Sequence, residues 1–371
     1  MRITRYIAAF ILIAIQGCTK DTAPKDNGQT VKPGDFGRLP FVVKDNYTFS
    51  LYSQVLDTTK YGDTLALKEG PYTIFVPNNN AFSAASFYFG NGTNYLLYAY
   101  NPPAADYVRG MIIPQKVSMK DLRLGENQTF QTLEGSPVYI TKYRSQTGDT
   151  IITVNGVPLV QNGWDLPATN GTINVLTGVP EPQVLPNVWQ LMLGDGNLAF
   201  FTLAVQRAGL QSLFETTNEK LTVLAPTNFS MSNMYVDTAH GGLDLRSIDA
   251  IRNANPDSIK KMVLYHVLKG TWFVNDFTRR DTLPNGDTVQ LTTYDGAALG
   301  FRNNSFIGTG LVPAMRWDYP NGVETMVYDG PPGPLPINFW YGYVYNMPRI
   351  AFQDKVAGNG VVQEMLGVLI R

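Results

Sequence analysis

The sequence predicts an α+β chain built from two related domains. Three observations carry that reading. A length of 371 residues allows two or three domains and favours two. A hydrophobic content of 44%, with 34 Gly and 24 Pro, supplies both cores and the turns that many short strands need. The third observation is internal. A strand-like run stopped by proline, a helical segment, further strands and a closing Asn-Gly strand occur twice in the same order.

The chain opens on MRITRYIAAFILIAIQGC. Arg2 and Arg5 precede an apolar run, Ile7 to Ile15, too short to span a bilayer, which takes about 20 apolar residues. The run ends in Gly17-Cys18, which resembles a bacterial lipobox, with Gln16 where a small or apolar residue is usual. Residues 1–17 are therefore expected to be a lipoprotein signal peptide and Cys18 the lipidated residue. Two acyl chains give stable anchoring, so the membrane is an expected partner. Residues 18–37 are polar, contain Pro and Gly, and read as a flexible tether. Thr19-Lys20-Asp21 resembles the signals that send lipoproteins of Bacteroidetes-type bacteria to the cell surface, and an outer-membrane, surface-exposed location is expected.

The first domain is placed at 38–184 and the second at 185–371. Pro71-Tyr72-Thr73-Ile74-Phe75-Val76-Pro77-Asn78 pairs with Leu221-Thr222-Val223-Leu224-Ala225-Pro226-Thr227-Asn228. Pro77 and Pro226, 149 residues apart, end each strand, and Asn78 or Thr227 is set to cap the turn after it. Before the second strand, Phe201, Ala204, Val205 and Ala208 share a helical face and Gly209 suits the position after the helix. Met111 and its neighbours pair with Tyr265-His266. Each half closes on Asn-Gly, Asn170-Gly171 and Asn359-Gly360, read here as a two-residue hairpin turn at positive φ.

Charge and chemistry exclude much. Charged residues make up 16% and the formal net charge is −1, so no basic field invites nucleic acid. One Cys and two His exclude a disulfide framework, an iron–sulfur cluster and an all Cys/His zinc site, and no metal or cofactor is expected. Gly-x-Ser-x-Gly, His-Glu-x-x-His and phosphate-loop patterns are absent, and no catalytic residue is assigned.

The repeated blocks resemble the fasciclin family. Its strand ending Phe-Ala-Pro-Thr-Asn is similar to Phe75-Val76-Pro77-Asn78 and, more closely, to Leu224-Ala225-Pro226-Thr227-Asn228. Phe82 fills the trailing Phe position in one copy and Met231 stands there in the other. The family's Tyr-His is Tyr265-His266; the first copy has Gly110-Met111 instead. The closing block is kept twice without its later acid. The resemblance covers roughly residues 40–371. It implies two β-sheet wedges, each with helices packed at one edge, and a non-catalytic role in adhesion or extracellular protein and matrix binding.

Two places are candidates for contact. His266 shares a helical face with Ile259, Met262 and Val263; such a His is usually a hydrogen-bonded core residue, while the resemblance links the Tyr-His region to adhesive contacts. Residues 313–349, an aromatic insertion in the second domain, crowd together Trp317, Tyr319, Tyr328, Trp340, Tyr341 and Tyr343. Exposed rings could anchor a protein partner or stack on a polysaccharide, whereas a strand there would bury alternate rings. The alternative to adhesion is a glycan-binding accessory lipoprotein of an outer-membrane polysaccharide uptake system. A smaller cluster, Phe87 to Tyr100, comes after the first proline-stopped strand, and His240 falls in an expected loop.

Overall fold

A computed structural model describes residues 36–62, 65, 68–83, 104–145, 148–181, 183, 185–216, 218–234, 242–274, 276, 291–303, 311–314 and 349–369. Cys18, His240, the Phe87–Tyr100 cluster and the rings Trp317, Tyr319, Tyr328, Trp340, Tyr341 and Tyr343 lie outside these residues.

The first half contains β1 (Tyr72–Pro77), β2 (Ile112–Ile113), β3 (Gly125–Gln131), β4 (Pro137–Arg144), β5 (Thr150–Val154), β6 (Val157–Pro158), β7 (Leu166–Ala168) and β8 (Gly171–Leu176). The second contains β9 (Leu221–Pro226), β10 (Val267–Lys269), β11 (Leu291–Thr292), β12 (Ala298–Asn303), β13 (Leu311–Ala314), β14 (Arg349–Ala357) and β15 (Gly360–Leu366). One sheet topology occurs twice. In the first half the order is β2-β1-β8-β7, in the second β10-β9-β15-β14. In each, the central pair is parallel, β1 with β8 and β9 with β15, and the outer pairs are antiparallel. A second sheet, β3-β4-β5-β6, accompanies the first half and β11-β12-β13 the second.

The sequence explains the central strands. All six residues of β1 and of β9 are buried, as expected of near-continuous apolar runs covered on both faces. Helices supply one cover. Leu39, Val43, Tyr52 and Val55 come from helices Leu39–Asp45 and Ser50–Thr59 and join Ile74 and Phe75 in the first core. In the second, Phe201, Ala204 and Val205 of helix Ala199–Arg207 meet Val223 and Ile259. That helix stops as its sequence requires, with Gly209 at φ 67° just beyond it. Helix Pro256–Tyr265 starts on Asn255, whose side chain accepts from the Asp257 and Ser258 amides, with proline in its first turn. Among the described residues, no single helix is long and apolar enough to cross a membrane.

The closing Asn-Gly blocks need a correction. Neither Asn170, Gly171, Asn359 nor Gly360 has positive φ; the turns are Thr169-Asn170 and Gly358-Asn359, and each later Gly already belongs to a strand. A Cβ on Gly171 would stand 2.3 Å from the Tyr72 carbonyl oxygen, and one on Gly360 2.0 Å from that of Leu221. These glycines permit close backbone approach between parallel strands, not left-handed geometry. The positive-φ Asn-Gly turn exists elsewhere, at Asn155-Gly156 (φ 46° and 79°) between β5 and β6.

The tip of that hairpin touches the second domain. A Cβ on Gly156 would lie 2.7 Å from the Cβ of Phe273. Tyr139 of β4 packs its ring 5.8 Å from that of Phe273, and Val356 and Val361 complete a buried apolar cluster. Lys220 Nζ lies 5.8 Å from the centre of the Tyr139 ring, and Asn127 Nδ2 donates to the Thr271 carbonyl.

Candidate functional site

The polar side chains shared by the two halves make the same backbone contacts in each. Asn170 and Asn359 make the most extensive set. Asn359 Oδ1 accepts from the Val188 amide at 2.8 Å, and Nδ2 donates to the carbonyls of Phe214 (3.0 Å) and Thr216 (2.6 Å). Asn170 repeats this, accepting from the Leu39 amide at 2.9 Å and donating to the carbonyls of Leu65 and Lys68. One buried amide thus fixes the start of a domain's first helix and the chain entering its central strand, satisfying backbone groups that would otherwise be orphaned.

A second pin sits after each proline. Asn228 Oδ1 accepts from the Phe200 amide and its Nδ2 donates to the Gly196 carbonyl, both 2.8 Å. In the first domain Asn79, not Asn78, does this work, accepting from Leu51 and donating to the Tyr47 carbonyl. Asn78 and Thr227 are the helix caps expected of them: Asn78 Oδ1 takes the Ala81 amide at 2.8 Å and Thr227 Oγ1 the Ser230 amide at 3.3 Å. Ser230 Oγ also donates to the Met365 carbonyl and accepts from the Gly367 amide, locking this corner to the last strand. Pro77 and Pro226 close β1 and β9 opposite Leu176 and Met365.

A third recurrence had no sequence-level expectation. Thr73 and Thr222, 149 residues apart, each donate a hydroxyl to a downstream carbonyl, Gln115 or Gly270, and accept an amide two residues on, Val117 or Trp272. The shared spacing was the available signal. Asp165 and Asp354, both at positive φ (54° and 57°), each donate the main-chain amide to a side-chain oxygen nine residues later, Asn174 Oδ1 or Gln363 Oε1.

His266 is a core residue. It is fully buried at the end of helix Pro256–Tyr265, with Nδ1 2.9 Å from the Met262 carbonyl and Nε2 3.0 Å from the Leu369 amide. The neutral ring that donates from Nδ1 and accepts at Nε2 satisfies both. Burial lowers its pKa to about 4, against which the Met262 carbonyl bond acts only in part. The Phe201 ring, 5.7 Å away, closes the site. Tyr265 beside it is also buried. Met111 is the first-domain counterpart: its carbonyl accepts from Phe75 as that of His266 accepts from Leu224.

The second domain adds a charged group absent from the shared set. Lys355 Nζ lies 2.6 Å from Asp195 Oδ2 and also pairs with Glu364. Burial would raise Asp195, but the Lys355 ammonium and the Asn197 amide hold it below its ordinary value. Glu364 is raised, because burial outweighs the same ammonium. The arrangement ties β14 and β15 to the turn after helix Val188–Gly194.

Chemically, these groups hold backbone. The structure does not gather these residues into one site: Asn170-Gly171 and Asn359-Gly360 lie at the start of the central strands, Pro77-Asn78 and Pro226-Thr227-Asn228 at their far ends, and Tyr265 and His266 are buried at the end of helix Pro256–Tyr265. Among the described residues no cluster of three His, Cys, Asp or Glu could hold a metal ion. Large apolar side chains that do face solvent include Tyr47, Leu193 and Phe229.

Comparison with known proteins agrees with this duplicated architecture. A profile of the Fasciclin domain matches residues 47–180 and 196–316. Transforming growth factor-beta-induced protein ig-h3 of Sus scrofa is 28% identical over 167 residues, 45% of this chain and 22% of that protein. The chain therefore spans well under half the length of that relative. The solved domain pair of the insect cell adhesion molecule Fasciclin I is similar at 15% identity and a TM-score of 0.38, covering 90% of this chain and 96% of that one. With both halves matched by the profile, over more than half its length, the chain belongs to the fasciclin domain family.

Proposed function

We propose that the protein is a cell-envelope lipoprotein, anchored through Cys18, whose tandem fasciclin domains mediate adhesion or extracellular protein and matrix binding without catalysis. The observation that carries this reading is the use of the shared polar residues. The side chains common to both domains are spent on backbone contacts, while fasciclin domains as a class belong to adhesion-type proteins. Binding then falls to surfaces that differ between the copies. The sequence stretch 313–349, rich in Trp and Tyr, is the candidate, since such rings bury large area at low entropic cost.

The test compares the chain with its Trp317→Ala and Trp340→Ala variants for binding to extracellular matrix proteins. At least a tenfold loss of affinity with an unchanged melting temperature is expected. Equal loss of stability and binding would overturn the assignment. Mass spectrometry of Cys18 should find a diacylglyceryl group, and protease added to intact cells should remove the domains; an unmodified or protected protein refutes the surface anchor. The same aromatic stretch supports the second reading, a glycan-binding accessory of polysaccharide uptake. A glycan array with selective hits and no matrix-protein binding favours that reading over adhesion.

A further inference from the structure

The second domain carries three ionisable side chains at positions where the first shows that the fold needs none. Lys355 pairs with Val362 in β14–β15 as Leu166 pairs with Ile173 in β7–β8. Glu364 stands opposite Ala225 as Val175 stands opposite Val76. Asp195 caps its turn by accepting from the Asn197 amide at 2.9 Å, as Asn46 accepts from the Thr48 amide at 3.0 Å. Leu, Val and Asn of one copy are thus Lys, Glu and Asp of the other, and the three meet at one nitrogen. Lys355 Nζ bonds Asp195 Oδ2 at 2.6 Å and also Glu364 Oε1. Glu364 is 1% exposed, and its Oε2 has no hydrogen-bond partner among the described residues.

An ion pair alone does not explain this coordinated change. One ammonium faces two carboxyls, and a buried pair is often no more stabilising than the apolar residues in its place. Leu166 and Val175 simply join the first apolar core. What the three groups do assemble is the chemistry of amide formation. An amine is held against a buried carboxyl, and a second, less buried carboxylate sits on the amine as a base.

We propose that Lys355 and Glu364 condense into an intramolecular amide that joins β14 to β15, with Asp195 as the base.

Lys355 passes one ammonium proton to the Asp195 carboxylate. The freed amine attacks Glu364 Cδ, and burial favours the neutral acid there, the form that can lose a hydroxyl. The Nζ–Cδ bond forms, the Cδ–hydroxyl bond breaks, and the hydroxyl leaves as water with the second ammonium proton. The third proton stays on the amide nitrogen. Asp195 returns its proton to solvent, to which 14% of its side chain is exposed. Nothing is oxidised or reduced. Burial disfavours the ammonium, but its bonds to Asp195 and Glu364 hold the proton on overall, so the reaction is slow. It has to occur only once in each molecule, between groups already in place. The amide does not depend on the adhesive role proposed above, but it would serve one. β14 begins at Arg349, where the 313–349 stretch ends, and tension on that stretch would peel β14 from β15 only as far as Lys355.

The full chain is kept folded at neutral pH for several days, denatured and cut with trypsin. Arg349, Lys355 and Arg371 are the cleavage sites of this region. An unlinked chain gives the peptides Ile350–Lys355 and Val356–Arg371. The amide removes the charge that trypsin reads at Lys355. The linked chain therefore gives one peptide, Ile350–Arg371, lighter than its sequence by one water, with fragment ions placing the loss between Lys355 and Glu364. Most molecules should be linked. Asp195→Asn, which restores the cap of the first copy, should stay folded by circular dichroism and yield the two short peptides. The double variant Lys355→Leu, Glu364→Val, carrying the residues of the first copy, should give the uncut peptide at its full sequence mass. Two short peptides from the wild type, or an uncut peptide of full mass, overturn the proposal. So does a double variant that still loses water, or an Asp195→Asn variant that links as completely as the wild type.

Discussion

Asn359→Ala should weaken the hold of the second domain's helical edge on its sheet. The side chain satisfies three main-chain groups: the Val188 amide, at the first residue of helix Val188–Gly194, and the carbonyls of Phe214 and Thr216. Val188 and Phe214 are fully buried, so no water replaces their bonds, whereas Thr216 is exposed and recovers its bond from solvent. Each buried group left unpaired costs about 1–3 kcal/mol, so two give a loss of about 4 kcal/mol. That is a large share of the 5–15 kcal/mol or so that holds a typical domain. Asn359→Asp separates the two halves of the argument. It keeps the acceptor for Val188 but loses both donors and turns a carboxylate toward two carbonyl oxygens, so it should be at least as damaging as alanine at neutral pH. Urea unfolding followed by tryptophan fluorescence, with Trp164 in the first domain and Trp189 and Trp272 in the second, gives the free energies once the two transitions are resolved. Hydrogen exchange at the Val188 amide reports the local effect. A loss below about 1 kcal/mol for Asn359→Ala, or wild-type stability for Asn359→Asp, would refute the view that this amide is the pin.

Further perturbations test neighbouring parts of the same reasoning. His266 has a folded pKa of about 4 against an ordinary 6.5, so its contribution is complete above pH 6.5 and is lost as pH falls toward 4. The loss amounts to about 3 kcal/mol and is measured as the urea midpoint of the second domain across that range. His266→Met, borrowing the residue of the first domain, should abolish the slope. Gly360→Ala and Gly171→Ala should each destabilise their own domain by about 2 kcal/mol or more, because the added carbon meets backbone oxygen that cannot rotate away. Gly110→Ala, with open space around it, should leave the melting temperature nearly unchanged.

Much of the fold was legible because its signals are local or periodic. The proline-stopped apolar strands, the caps at Asn78 and Thr227, the helix ending before Gly209 and the helical face shared by His266, Ile259, Met262 and Val263 all depend on residues within a few positions of one another. Asn170 and Asn359 were legible as positions but not as jobs. Their partners lie 102–131 and 143–171 residues away, and no turn rule contains that information. The Asn-Gly dipeptide satisfies two different physical demands with the same letters. At Asn155-Gly156 it supplies positive φ, while at 170–171 and 359–360 it supplies a bifunctional amide and then the absence of a Cβ.

The way the two copies diverge separates what the fold demands from what it tolerates. Apolar positions exchange freely: Phe82 is matched by Met231, and Met111 by His266, each pair buried. Cores accept such swaps when volume is kept, and a polar newcomer is accepted once both ring nitrogens find partners. The amide pins do not exchange. A side chain that accepts one amide and donates to two carbonyls across a turn has to be planar, short and uncharged, and Asn meets those conditions at both sites. The aromatic-rich stretches of sequence at 87–100 and 313–349 lie between pinning residues, after Asn79 and before Asn170 in one half, after Asn228 and before Asn359 in the other.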